Sequence, residues 1–184
     1  MIKSAIPSEA PIIAQLLVNA MKELAVQYAN DPDPQQAIPI FKHFVAREDN
    51  QYSYQNMRVC YIDDELVGVI CGYDGGKFKE LRKPFLSYLK DKIKIDLEDV
   101  AETEDGEYYI DALSVSPSVQ GRGIGKELIK DFIKEIAKEG HTKIGLLVNT
   151  QNSLAKNLYE RLDFVVVNEK QILGESYFHM QFIP

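Results

Sequence analysis

Apolar positions recur along the chain with two periods, near 3.6 and near 2, and the switches between them predict the elements. Residues 1–6 read as a first strand. Ile13, Leu16, Leu17, Ala20, Met21 and Leu24 then follow at helical spacing, with Ser8 as the expected N-cap and Glu9 in the first turn, where the helix dipole favours an acid. Asp31-Pro32-Asp33-Pro34 ends that helix, and residues 36–50 predict a second, shorter one. Two β-rich runs, 57–62 and 66–73, flank Asp63-Asp64-Glu65 and predict a hairpin. Phe78, Leu81, Phe85, Tyr88 and Leu89 carry a helical stripe that Pro84 either splits or restarts. Residues 108–115 predict a strand, QGRGIG (120–125) a glycine-rich turn, and Leu128, Ile129, Phe132, Ile133, Ile136 and Ala137 an amphipathic helix ended by Gly140. A buried strand (143–148), a short helix (152–162) and strands at 164–167 and 176–182 complete the chain. The order implies one α/β domain of the mixed α+β kind spanning 1–184, antiparallel early and late with a crossover between.

Composition removes several classes of function. The 184 residues, 45 % hydrophobic and 27 % charged, suffice for a core without disulfides or metals. With 21 basic and 28 acidic residues the net charge is −7, which argues against a nucleic-acid partner and fits a cationic partner or plain solubility. Cys60 and Cys71 sit in apolar runs and read as reduced, buried thiols of a cytoplasmic protein. No CxxC or HExxH spacing points to a metal. No apolar run approaches the ~20 residues of a membrane span, and MIKSAIPSEA lacks the h-region of a signal peptide. The basic run at 77–94 and the acidic run at 96–107 read as solvated faces.

The chemistry concentrates at strand, then Gln120-Gly121-Arg122-Gly123-Ile124-Gly125, then helix. Closely spaced glycines admit positive φ and close approach of a ligand, and the first helical turn points free N–H groups at it: an anion site, usually for phosphate. The alternative is a tight structural turn. A P-loop would need a hydroxyl residue after Gly125-Lys126, where Glu127 stands, and a glycine where Gln120 stands. A dinucleotide fingerprint fails because Lys126 holds the place of its third glycine.

Gln120, Gly123 and Gly125 fill the pattern Q/R-x-x-G-x-G/A, and Asn152, Ala155, Tyr159 and Phe164 fill N-x-x-A-x-x-x-Y before an aromatic. In these two motifs the chain resembles the GNAT superfamily of acyl-CoA-dependent N-acyltransferases, closely over 108–182 and in element order over 1–76. The resemblance implies a twisted, mostly antiparallel sheet of six or seven strands flanked by helices, with strands splayed at the cofactor site. It implies acetyl-CoA as co-substrate and no metal. Two features depart from the family pattern: Asp163 replaces the usual glycine, and residues 77–106 form an insert. Asp tolerates the left-handed turn better than most residues.

The resemblance assigns the cofactor's phosphates to Gly121, Arg122, Gly123, Ile124, Gly125 and Lys126. Lys156 and Arg161 are either further cations for other CoA phosphates or plain solvated helix charges. It assigns the pantetheine arm to Leu113, Ser114 and Val115, paired as an added strand, and to Asn152, with Ala155 keeping that helix face low. Tyr159 becomes the general acid for the leaving thiolate. Asp111, two residues before Leu113 and therefore expected on the same face, is a candidate to bind or deprotonate a cationic amine, or else a salt-bridge partner. Where the family commonly carries a catalytic Glu the chain has Tyr109, so a water chain to Glu107 or Tyr109 is the substitute; His179 is a third candidate base, with a satisfied sheet histidine as the plainer reading. Tyr28, Phe41, His43, Tyr52 and Tyr54 are candidate linings of the substrate pocket. The expected activity is transfer of an acetyl group to a primary amine, of a small molecule or a peptide, by direct attack in a ternary complex. A non-catalytic acyl-CoA sensor of the same fold and a nucleotide-binding module are the competing readings. Membrane and nucleic-acid partners are not expected, and the apolar final strands are the expected seat of any homodimer.

Overall fold

The computed structural model describes residues 1–97, 100–172 and 174–183. Seven strands form one sheet: β1 (Ile2–Ser4), β2 (Met57–Ile62), β3 (Glu65–Asp74), β4 (Tyr108–Val115), β5 (Ile144–Asn149), β6 (Val165–Ile172) and β7 (Glu175–Phe182), ordered β1-β2-β3-β4-β5-β7-β6. All neighbours are antiparallel except β4 and β5. Side chains of β3 alternate between two cores, as the period of 2 requires. Val69 and Cys71 join one core with α1 (Ala10–Ala20), α2 (Lys22–Ala29), α3 (Ile38–Val45) and α4 (Phe78–Tyr88). Ile70 joins the other with α5 (Ile124–Lys138) and α6 (Ser153–Glu160). The mixed α/β architecture with a mostly antiparallel sheet is the expected one. The hairpin turns through Asp63 and Asp64, both left-handed (φ 48° and 65°), and Glu65 already belongs to β3.

Local expectations fail at four places, each for a physical reason. Ser8 does not cap α1; a single tight turn, Pro7–Glu9, precedes it, and Glu9 reaches back to accept from the Ile6 N–H at 2.8 Å. The helix predicted through Leu24 breaks at Met21 (φ −125°, ψ 46°), which periodicity cannot reveal because the apolar stripe runs on across the break. Pro84 neither splits nor starts a helix. It lies inside α4 at an exposed position, and Glu80, whose carbonyl loses its helical donor, is exposed as well, so the lost bond is not sealed in the core. The acidic run is not uniformly solvated. Glu107 is fully buried, and Glu102 pairs with buried Arg82 at 2.6 Å, so the two charge runs partly neutralise each other. Glu98 and Asp99 of that run lie outside the described residues.

Candidate active site

The glycine turn leaves the N-terminus of α5 uncapped by any side chain. Gly121 and Gly123 take φ of 78° and 82°, a region that disfavours side chains. Gly123 opens α5 with no side-chain cap, and the first backbone bond of the helix runs from the Glu127 N–H to the Gly123 carbonyl at 3.1 Å. The N–H groups of Ile124, Gly125 and Lys126 therefore face outward at the positive end of a fifteen-residue helix. Gly125 is helical and unstrained; a Cβ there would only touch Leu113, Val115 and Leu158. What a side chain would narrow is the approach to the loop. Beside the loop, a cleft of about 380 Å³ runs between Leu113–Val115 and the α1–α2 break at Asn19, Ala20 and Lys22. A second groove of about 350 Å³ carries Lys126, Lys130 and Arg161.

β4 and β5 pair only at Tyr108–Ile144, Tyr109–Gly145 and Ile110–Leu146, then part. Asp111 is the first residue past the last pair. It is also the extra residue of a β-bulge, because Cys71 faces Ala112 while Gly72 faces Ile110. The bulge reverses the alternation, which corrects the expectation that Asp111 and Leu113 share a face. Leu113 packs on the α5–α6 side. Asp111 turns to the other side, where its Oδ2 accepts from the Tyr73 hydroxyl at 2.8 Å. Burial and the nearby Glu102 carboxylate push its acid up to about 7, against the Tyr73 bond and the Arg82 charge. The hydroxyls of Tyr28, Tyr52, Tyr73 and Tyr109 are all pushed up by burial and feel the same carboxylates.

Tyr159 lies on the opposite face. It is buried in the α5–α6 core, edge-on to Phe164 at 5.7 Å. Burial alone pushes its phenol up to about 12, and its hydroxyl has no hydrogen-bond partner among the described residues. Its ring is held by the turn after α6, where the Leu162 and Phe164 N–H groups both donate to the Tyr159 carbonyl. Asp163 stands there at φ 65°, the left-handed turn expected of it.

A family model described as the acetyltransferase (GNAT) family matches residues 18–164. The chain belongs to that family. It is 27 % identical, over 129 residues, to a mycothiol acetyltransferase of Corynebacterium jeikeium (strain K411). The match covers 67 % of this chain and 37 % of that one, so it spans well under two thirds of the relative. Over its whole length the chain resembles the crystal structure of an acetyltransferase, with a TM-score of 0.84, 27 % identity and 98 % of that chain covered. A PaiA N-acetyltransferase from Thermoplasma acidophilum, solved in complex with coenzyme A, shares the fold at a TM-score of 0.61 and 14 % identity over 100 % of this chain and 98 % of its own.

Within this GNAT chain the splay and the glycine loop bring together Leu113, Ser114, Val115, Gln120 and the N-terminus of α5. Two details change the expected roles there. The Gln120 amide donates to the Val115 carbonyl at 2.9 Å, taking a group assigned to the cofactor arm, and the Ser114 hydroxyl is spent on the Leu16 carbonyl at 2.7 Å. Asn152 is the N-cap of α6 rather than part of its face; its side chain accepts from the Ala155 N–H at 3.0 Å. Lys156 is tied to Glu160 and lies 5.6 Å from the Phe178 ring centre.

Of the alternative bases, Tyr109 has its phenol pushed well up by burial. Glu107 has both oxygens occupied, and His179 is fully buried against it at 2.9 Å. Among the pocket candidates, Tyr28 and Tyr52 reach the Asp111 neighbourhood. Phe41 is core, His43 packs on Phe44 and Tyr88, and Tyr54 bonds exposed Glu48. Sequence reasoning missed Tyr73, Arg82 and Glu102. Their one signal was the opposition of a basic and an acidic run. Cys60 and Cys71 are free and buried, and burial pushes both thiols up. Among the described residues no helix is long and apolar enough to cross a membrane, and no cluster of three metal-binding side chains occurs.

Proposed function

We propose that the protein transfers an acetyl group from acetyl-CoA to a primary amine, by direct attack within a ternary complex. The observation that supports this reading is the parting of β4 and β5 after Ile110–Leu146, beside the glycine turn, with Asp111 on the α1–α4 side of β4 and Tyr159 in the α5–α6 core on the other side. Direct transfer needs a proton acceptor on the amine side of the carbonyl and a proton donor on the sulfur side. Acetyl-CoA, when bound, supplies the activated acyl group.

The chain's residues fit it. The open N–H groups of Ile124, Gly125 and Lys126 would hold the pyrophosphate. Arg161 and Lys130, in the neighbouring groove, would meet further phosphate charge. The edge of β4 that β5 leaves past Ile110 would take the pantetheine arm as an added strand, up to the Val115 carbonyl that Gln120 already occupies. Asp111, poised near neutrality, binds the incoming ammonium and accepts its proton. Tyr159 stays protonated through the working pH range and donates to the sulfur as the C–S bond breaks. The desolvation that weakens this phenol as an acid also raises the proton affinity of a thiolate beside it, so the transfer stays feasible. The two reduced thiols fit a cytoplasmic setting.

Thermal shift against acetyl-CoA, CoA, ATP and NAD tests the cofactor assignment. A ligand at about 100 times its Kd stabilises by about 2.7 kcal/mol. The expected result is a rise with the two CoA species alone, followed by thiol release in a screen of primary amines. An equal rise with ATP would overturn the assignment.

A further inference from the structure

The most heavily built polar group of the molecule lies outside the chemistry assigned above. The Glu107 carboxylate is fully buried and accepts four hydrogen bonds. Its Oε1 takes the Thr103 hydroxyl at 3.0 Å and the Glu104 N–H at 2.9 Å. Its Oε2 takes the Gln181 amide and His179 Nε2, both at 2.9 Å. A carboxylate only accepts, so His179 presents Nε2–H to it. Burial alone would raise this acid, but the bonds from His179 and Gln181 outweigh it and hold Glu107 below the usual range.

Two glycines clear the space for this arrangement. A Cβ on Gly145 of β5 would collide with the Glu107 carboxylate, and one on Gly75 would collide with Thr103 Oγ1. The Gly75 N–H instead donates to the Glu107 carbonyl at 2.8 Å. On the far side of His179, Nδ1 lies 3.4 Å from Glu104 Oε1, within ion-pair reach but not hydrogen-bonded, and Lys170 Nζ approaches the same oxygen at 3.5 Å.

This construction fixes a segment that would otherwise be a free connection. The stretch 102–107 folds around its own Glu107 carboxylate and is stitched to β7. At its other end Glu102 pairs with Arg82 at 2.6 Å and takes the Tyr109 hydroxyl at 3.4 Å, while Lys170 donates to the Glu102 carbonyl at 3.3 Å. We propose that Glu107 and His179 are positioning residues for acyl transfer: they clamp the 102–107 segment to the sheet and so hold the Glu102 carboxylate on Arg82 and on the hydroxyl of Tyr109, whose ring meets that of Tyr73, the donor to Asp111. The role in transfer rests on Asp111 acting as the base; the clamp itself does not.

The clamp has a consequence of one sign. The titratable and charged groups that face Asp111 are Tyr73 and Cys71 of β3, Tyr109 of β4, Arg82 of α4, Tyr28 of α2, Tyr52 ahead of β2, and Glu102. Among the described residues Glu102 is the other carboxylate, and Arg82 pairs with it at 2.6 Å. If the segment loosens, Asp111 loses a like charge and gains water. Both changes favour the ionised form, so Asp111 gives up its proton at lower pH.

The test follows the Asp111 side-chain carboxyl by ¹³C NMR from pH 4 to 9 in the ligand-free protein, the resonance being the one lost in Asp111→Asn. Wild type should titrate near 7. His179→Phe removes the donor and should lower the proton affinity of Asp111 about tenfold, while His179→Gln, which still reaches Glu107, should stay close to wild type. Circular dichroism and the acetyl-CoA thermal shift should be unchanged in both. A folded His179→Phe protein with an unmoved Asp111 midpoint overturns the clamp, as does a wild-type midpoint in the ordinary carboxylate range. Should His179→Phe fail to fold, Thr103→Val deletes one of the four donors without adding bulk. Its midpoint should fall in the same direction, and no movement there overturns the proposal. Wild-type transfer rates in Asp111→Asn would instead refute the base assignment and leave the titration to judge the clamp alone.

Discussion

The two faces of the sheet meet at the β4–β5 splay but are made of different material. The α5 face offers backbone: N–H groups at a helix N-terminus, strand edges without partners, and glycines that keep the approach clear. The α1–α4 face offers side chains. Asp111, Glu102, Arg82 and four tyrosines arrive from α2, the loop before β2, β3, α4, the segment before β4 and β4 itself. In the proposed reading the backbone site holds the cofactor and the side-chain site selects the acceptor.

If that division is right, substitutions on the two faces separate affinity from rate. The largest effect is expected from Asp111→Asn, which should lower kcat/KM for an amine by about 10²- to 10⁴-fold, the usual worth of a general base, while acetyl-CoA still stabilises the protein. Its stability should move the other way. The folded-state pKa of Asp111 is raised to about 7, so ionisation opposes the fold as pH rises from the ordinary carboxylate range through 7. The Asn variant should therefore melt higher than wild type at pH 8, and the difference should fade toward pH 4. An equal melting temperature at pH 8 would count against the raised acid.

Next comes Gly123→Val. A β-branched residue at φ 82° carries about 1–3 kcal/mol of strain and narrows the loop mouth. It should weaken acetyl-CoA by at least about tenfold in a thermal-shift titration, and retained affinity would remove the phosphate cradle. Tyr159→Phe should lower kcat by roughly an order of magnitude, with acetyl-CoA affinity unchanged and the core intact, since its hydroxyl bonds nothing among the described residues. Unchanged kcat would mean the sulfur finds its proton elsewhere. The smallest effect is expected from Lys156→Ala. Its ammonium is already paired with Glu160 on an exposed helix turn, a contact worth at most about 1 kcal/mol. A large loss of CoA affinity there would restore Lys156 as a phosphate ligand.

The same contrast explains what the sequence reveals. The α5 face is legible because a backbone site constrains local spacing. Gln120, Gly123 and Gly125 lie within one crossover and Tyr159 on the next helix, and positive φ leaves a glycine signature. Even Asp163, a departure from the family pattern, is predictable because Asp enters the left-handed region readily. The α1–α4 face is not legible, for two reasons. Its members come together only through the tertiary fold; Arg82 and Glu102 are twenty residues apart and meet across a charge-run boundary that reads as two solvated surfaces. And the bulge that aims Asp111 at Tyr73 is a register event, invisible to a period of 2, which wrongly sets Asp111 beside Leu113. The Met21 break belongs with these, since nothing in an unbroken apolar stripe marks it.

The account turns on Asp111 as the group that takes the amine's proton. Its most direct test is the pH dependence of kcat/KM, read as thiol release from acetyl-CoA with the fastest primary amine of a screen, for wild type and Asp111→Asn side by side. The account predicts a wild-type rate that rises through a step near pH 7, and an Asn variant slower by two or more orders of magnitude in which that step is gone. An Asn variant that keeps the step and turns over within a few-fold of wild type would contradict it.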